Sequence, residues 1–285
     1  MDLNQWMNLD GSYIGTSNDT AKTMKPGIYD MTIFNQQLIF IPVEMRSDEL
    51  LRFPDTATDK IVAEIQKFWE REDKFRKHEL PFKRGVLMYG PPGSGKSCTM
   101  RLVADDVVTR GGVVFLYNNP DVFTAGYRIF RTIQPETPLV VMMEDLDAIL
   151  DRYNETRILN LLDGIEEVDK VVFLASTNYP EKLGPRITNR PSRFDRKFKI
   201  AHPSDPARRM YLSSLSKGDD QVNLEKWSHD TQGMSLAHLK ELFIAVVILG
   251  NDYMASLTIL KGMKEHTTSV GDDEEFDSPH TGQYA

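Results

Sequence analysis

The sequence holds a single cysteine in 285 residues, Cys98, which excludes a disulfide framework. Its six histidines, His78, His202, His229, His238, His266 and His280, are scattered without metal-ligand spacing, so nothing points to zinc or to a secreted scaffold. Long apolar runs are missing too. The longest, Leu242 to Leu249 with Ala245 counted, is far shorter than the roughly 20 residues a membrane span requires. The start, MDLNQWMNLDGS, carries acid and amide where a signal peptide carries positive charge ahead of an apolar stretch, so the expected location is a cytoplasm, of a cell or of a virus-infected host cell. What is present is ordinary globular usage: 40% hydrophobic and 27% charged residues with a mean hydropathy of −0.39, enough for one large domain or two small ones. The net charge of −8 is local. Glu265, Asp272, Asp273, Glu274, Glu275 and Asp277 crowd an acidic tail over 265–285 whose composition is that of a disordered segment, and without them the body is close to neutral. A neutral body gives no global electrostatic reason to bind nucleic acid, although cations cluster from Lys67 to Arg84.

Three segments precede this tail. Residues 1–52 form an N-terminal extension. Up to about residue 26 it is polar, without a clear period, and reads as extended or mobile; GIYDMTIFNQQLIFIPVEM then offers two β-rich runs around Asn35-Gln36-Gln37, the pattern of a hairpin. Over 53–203, a helix with the apolar stripe Ile61, Val62, Ile65, Phe68 and Trp69 precedes five short apolar runs: Val86–Tyr89, Val113–Tyr117, Leu139–Met143, Val171–Ala175 and a fifth around Phe198–Ala201. Runs buried on both faces and alternating with helix-length connections predict a parallel α/β sheet. Over 204–264 the pattern turns helical, with a strong segment opening at the N-cap Ser235, and reads as a small helical subdomain.

The run Gly90-Pro91-Pro92-Gly93-Ser94-Gly95-Lys96-Ser97 matches G-x-x-x-x-G-K-[ST] directly after the apolar VLMY and before a helix-competent stretch, the context this phosphate-binding loop needs. Its glycines let successive N–H groups curl around phosphate oxygens at a helix N-terminus, Lys96 neutralises phosphate charge, and Ser97 offers a hydroxyl to Mg²⁺. Cys98 follows, a small helix residue whose alkylation would crowd bound nucleotide. A second apolar run ends in Glu144, Asp145 and Asp147. Acids delivered at the C-terminal end of a buried strand beside such a loop can hold Mg²⁺ and polarise water.

These residues together with FLASTNYPEKLG and NRPSRFDRKFKI resemble the AAA+ ATPases of the AAA clade: a P-loop NTPase parallel sheet, the AAA+ core, followed by a small helical lid. Through KFRKHELPFKRGVLMYGPPGSGKS, the order Glu-Asp and LNLLDGIEEV, the segment from about Ile61 to Ile200 is similar to the ATPase module of the mitochondrial Rieske-protein translocase subgroup, without that protein's transmembrane segment. The resemblance implies ATP and Mg²⁺ as cofactors and makes Gly90 to Ser97 the Walker A loop and Leu139 to Asp145 Walker B. Glu144 then stands where most members have the metal-associated aspartate and Asp145 where they have the catalytic glutamate, so the acids are transposed. Asn178 matches the sensor amide near the γ-phosphate, and Arg193 and Arg196 match the arginines offered to a neighbouring subunit's nucleotide. Ser235-Leu236-Ala237-His238 stands for a Ser-Gly-Ala-Asp lid segment; Ala237 keeps a place near the base, and His238 reads as a capping-turn residue.

The partners so implied are copies of the chain in a ring, hexameric in the family, and an unidentified protein substrate or adaptor. Phe123, Gly126 and Tyr127 occupy the region of a pore loop but not in its order, so they read equally as helix core. A DNA loader and a slow nucleotide-gated switch are the competing classes.

Overall fold

The computed structural model describes residues 3, 5–16, 21–44, 57–153, 155–163, 169–190, 192–218 and 221–267, divided into two compact units, Met1–His202 and Pro203–Ala285. Among the described residues the first unit holds nine strands: β1 Gln5–Leu9, β2 Ser12–Thr16, β3 Gly27–Phe34, β4 Gln37–Pro42, β5 Lys83–Tyr89, β6 Val113–Leu116, β7 Leu139–Met143, β8 Val171–Thr177 and β9 Arg196–Lys199. Its helices are α1 Ala57–Trp69, α2 Glu72–Lys77, α3 Lys96–Thr109, α4 Pro120–Ile133, α5 Leu146–Arg152, α6 Glu155–Asp163 and α7 Pro185–Thr188. One sheet takes all nine strands in the order β1-β2-β4-β3-β6-β7-β8-β5-β9, parallel from β3 to β9 and antiparallel beyond β3.

Alternation along the central strands sorts the core into two faces. In β7, Leu139, Val141 and Met143 join Phe123, Tyr127 and Phe130 of α4 and Leu161 and Leu162 of α6. Val140 and Met142 join Ile61 and Ile65 of α1 and Met100 and Val103 of α3 on the other face. A strand buried on both sides has no polar face to show, which is why its sequence is an uninterrupted LVVMM. Phe68 stacks on Phe82, ring centroids 4.2 Å apart, and fastens α1 ahead of β5. Asn119 caps α4, its Oδ1 accepting the N–H of Asp121 and Val122, and Pro120 takes the first helical position, where no hydrogen bond is lost.

Four differences from the sequence reading have physical causes. Residues up to 26, expected to be extended or mobile, include the β1–β2 hairpin: Trp6 is fully buried against Phe40 and its Nε1–H donates to Gln134 Oε1 at 2.8 Å, so a contact 128 residues away orders it. The hairpin expected around Asn35 is present as β3 and β4, but β3 also pairs in parallel with β6 and adds a sixth parallel strand. The last strand starts at Arg196, two residues early, because an exposed edge strand shows no apolar run. Phe123 and Tyr127 are buried core residues of α4, which removes them from the pore reading. In the cationic stretch from Lys67 to Arg84, Arg76 pairs with Glu72 and Asp169, and Arg84 with Glu64.

The second unit is helical: α8 Asp205–Ser216, α9 Leu224–Asp230, α10 Leu236–Phe243 and α11 Tyr253–Thr267, with a π-helical turn over Ile244–Ile248. Leu212, Trp227, Met234, Leu239, Leu242, Leu257 and Leu260 make its core. Ser204, Asn223 and Ser235 cap α8, α9 and α10, each accepting a first-turn N–H. The helix α11 runs three residues past the 264 boundary expected from the pattern, and the acidic tail from 268 onward lies outside the described residues. Among the described residues no helix is long and apolar enough to cross a membrane.

Candidate functional site

In a parallel sheet the C-terminal ends of neighbouring strands come together at one edge. The register pairs Tyr89 of β5 with Thr177 of β8, and Met143 of β7 with Ala175 of β8, so the segments that follow these strands are neighbours. From β5 emerges the loop Gly90 to Gly95, from β7 the acids Glu144 and Asp145, and from β8, between the two, Asn178.

The loop is shaped by its glycines. A Cβ at Gly90 would lie 2.1 Å from Ile200 O, so only glycine lets the chain leave β5 past the end of β9. Gly95 takes the left-handed conformation (φ 104°) as N-cap of α3, and turns the loop into the helix. Pro92 and Gly93 are exposed, Pro91 half-buried, and Ser97 opens on the surface of the first turn. The Lys96 side chain lies buried; its Nζ donates to Gly90 O at 2.7 Å and Pro91 O at 2.8 Å. Burial lowers its pKa to about 8 against the opposing pull of Asp145 and Asp147. The Ser94 hydroxyl is buried with no hydrogen-bond partner among the described residues. A desolvated ammonium held by neutral carbonyls, beside an orphaned hydroxyl at a helix N-terminus, fits an oxyanion such as a nucleotide phosphate.

The acidic side is stitched to β8. Asp145, in the left-handed conformation (φ 48°), caps α5; its N–H reaches Ser176 Oγ at 3.4 Å and its Oδ1 accepts from Asn178 Nδ2 at 3.1 Å. Thr177 donates to Asp147 Oδ1 at 2.6 Å, and both residues are buried. Glu144 is an exposed residue whose carboxyl is still partly desolvated, which raises its pKa; Arg101 opposes the rise and Asp145 adds to it. Among the described residues no cluster of three His, Cys, Asp or Glu forms a metal cage. Mg²⁺, which takes oxygen donors and is commonly held by one or two carboxylates together with phosphate oxygens, is compatible in chemistry with the Ser97 hydroxyl and the acids Glu144 and Asp145.

Residues 86–202 match the family described as "ATPase family associated with various cellular activities (AAA)". The chain carries an AAA ATPase domain. Among similar proteins, "Protein SAV" of Sulfolobus acidocaldarius is 25% identical over 261 residues, covering 81% of this chain and 33% of that protein. The "ATP-dependent zinc metalloprotease FtsH 2" of Sphaerobacter thermophilus is 31% identical over 225 residues, covering 71% of this chain and 34% of that protein. The chain thus spans about a third of the length of these relatives. The first unit is a mixed α/β fold consistent with an AAA P-loop core, which residues 86–202 match, and this AAA domain is related to those of FtsH type.

The sequence-derived site residues fall into three groups. The loop Gly90 to Ser97, the acids Glu144 and Asp145, and Asn178 stand along one strand edge. Cys98 lies in the first turn of α3, half-buried, with burial pushing its thiol pKa up and Arg101 pulling it down. Arg193 and Arg196 stand apart from them. A Cβ at Gly85 would lie 1.8 Å from Arg193 O, so Arg193 crosses the start of β5 while the loop leaves its end. Its guanidinium is 5% exposed, donating to Asp163 Oδ1 at 2.8 Å and Oδ2 at 2.7 Å and to Arg186 O, rather than standing open to a neighbour. Arg196 pairs with Glu64 at 2.9 Å. Leu159, Pro185, Arg186, Asn189, Arg190 and Arg193 line a cavity of about 560 Å³. Ala237 is exposed on α10 in the second unit, and His238 serves the cap, its N–H donating to Ser235 Oγ.

Sequence reasoning gave no role to Thr177 or Ser176. Both lie inside an apolar run, and only the hydroxyls at its end mark them.

Proposed function

We propose that the chain is a Mg²⁺-dependent ATPase, converting ATP and water to ADP and phosphate, that assembles into a ring, hexameric by family likeness, and remodels or translocates a protein partner. Within the AAA ATPases the motif KFRKHELPFKRGVLMYGPPGSGKS, with the Glu-Asp order, supports a likeness to the Rieske-translocase type of module. The observation that carries the chemistry is the meeting of loop, acid turn and Asn178 at one strand edge.

Gly90 to Ser97 would cradle the phosphates, with Lys96 countering their charge and Cys98 bordering the cradle. Ser97, Glu144 and Asp145 would hold the ion, which when bound neutralises charge between the phosphate oxygens. Asp145 would take the proton from water, with its carboxylate orientation set by the Asn178 amide. Ala237, in the second unit, is assigned to nucleotide binding by family likeness alone. Arg193 crosses the start of β5, away from the loop at its end, and Arg196 pairs with Val86 in mid-strand, so catalysis by them would be on a neighbour's nucleotide, and Arg193 would first have to leave Asp163. DNA loading is the weaker reading, because Arg76 and Arg84 of the basic stretch are already paired.

The deciding experiment is Mg²⁺-dependent ATPase activity per subunit across a dilution series, for the parent and Arg193→Ala. Activity that rises cooperatively with concentration and vanishes in Arg193→Ala, with nucleotide still bound, is the expected result. Activity independent of concentration and indifferent to Arg193, in a chain that stays monomeric, would leave a self-contained nucleotide switch.

A further inference from the structure

The turn that carries Asp145 is held by the last two residues of β8 and the residue that follows them. Ser176 Oγ accepts the Asp145 N–H, Thr177 Oγ1 donates to Asp147 Oδ1, and Asn178 Nδ2 donates to Asp145 Oδ1. Of the three, the Thr177 bond is the shortest and the most enclosed: 2.6 Å, with Thr177 fully buried and Asp147 7% exposed. Thr177 is anchored in turn, because the Tyr179 N–H donates to its Oγ1 at 3.0 Å and its Cα is paired with Tyr89, the residue before the phosphate loop. A carboxylate at Asp147 is an expensive way to fill a buried first turn if only packing were needed, since a buried charge destabilises unless it is satisfied. Asp145 beside it holds a left-handed backbone, a conformation that persists only where neighbours over-determine it.

We propose that Thr177 and Asp147 are a positioning pair for hydrolysis: the hydroxyl, through Asp147, pins the turn so that Asp145 stays against Asn178 at the strand edge. The pair acts through Asp145 and contacts no substrate. The proposal rests on the ATPase reading above, and the parent protein separates the two failures. A parent that binds Mg·ATP without turning it over overturns the ATPase reading, and this proposal with it, before any variant is made.

With an active parent, kcat, the Kd of a fluorescent ATP analogue and the melting temperature are measured for Thr177→Val, Thr177→Ser, Asp147→Leu and Asp147→Asn. Thr177→Val is expected to lose about 10²-fold in kcat, the scale of a misplaced catalytic group, while Kd stays within about threefold. Thr177→Ser should regain most of the rate, and Asp147→Asn, whose amide oxygen still accepts the hydroxyl, should keep more of it than Asp147→Leu. The proposal is overturned if Thr177→Val keeps kcat within about threefold of the parent, or if kcat falls and Kd rises together without recovery in Thr177→Ser. Should Thr177→Val not fold, Thr177→Cys takes its place, with a weaker donor and a smaller loss of the same kind.

Discussion

Two buried cations sit at opposite ends of the same strand and live in opposite surroundings. Lys96, beyond the end of β5, is held by carbonyl oxygens and desolvated until its pKa falls to about 8. Arg193, crossing the start of β5, has a carboxylate across both arms of its fork, and the Asp163 hydrogen bond raises its pKa. The first cation is short of an anion and the second already has one. A cation kept without its counter-charge weakens the fold and is ready for a ligand, whereas a paired one strengthens the fold and must be released before it can serve elsewhere.

Exchanging each cation for methionine should break the comparison most sharply. Lys96→Met should lower ATPase activity by about 10²–10³-fold or more, the scale of losing a preorganised charge, while thermal unfolding shows stability unchanged or raised. Arg193→Met should lose roughly 2 kcal/mol, as expected when a charged, hydrogen-bonded partner of a part-buried carboxylate is removed. Equal losses of stability in the two variants would end the contrast.

Acid should reach only the paired site. Asp163 is held below its ordinary value chiefly by the Arg193 hydrogen bond, so its contribution is present above the unfolded carboxylate pKa, about 4, and fades as pH falls through the lowered one. Acid unfolding should therefore be steeper for the parent than for Asp163→Asn below about pH 4. The smallest effect belongs to Lys96. Its ammonium loses its proton as pH rises through about 8, and nucleotide affinity should drop about tenfold between pH 7 and 9 for the parent and not for Lys96→Met.

The strands most legible in the sequence are those buried on both faces. LVVMM and VVFLAS could be read because no solvent-facing position interrupts them. The edge strand β9, RKFK, and the hairpin Gln5–Thr16 could not, since the first is solvated and the second depends on Trp6 reaching Gln134. The phosphate loop was visible because its chemistry is contiguous in sequence. The partners that give its neighbours their character are not: Asp163 lies 30 residues from Arg193, and Asp147 lies 30 from Thr177. Spacing along the chain names the acids and arginines. Only the fold says which of them are already engaged.

The close approaches at Gly85 and Gly90 bind the chain around β9 to β5 at both ends, backbone against backbone. Five residues of extended chain span about 17 Å and do not stretch. That strand is therefore a ruler: the distance between the phosphate cradle and the crossing point of Arg193 is set by covalent geometry.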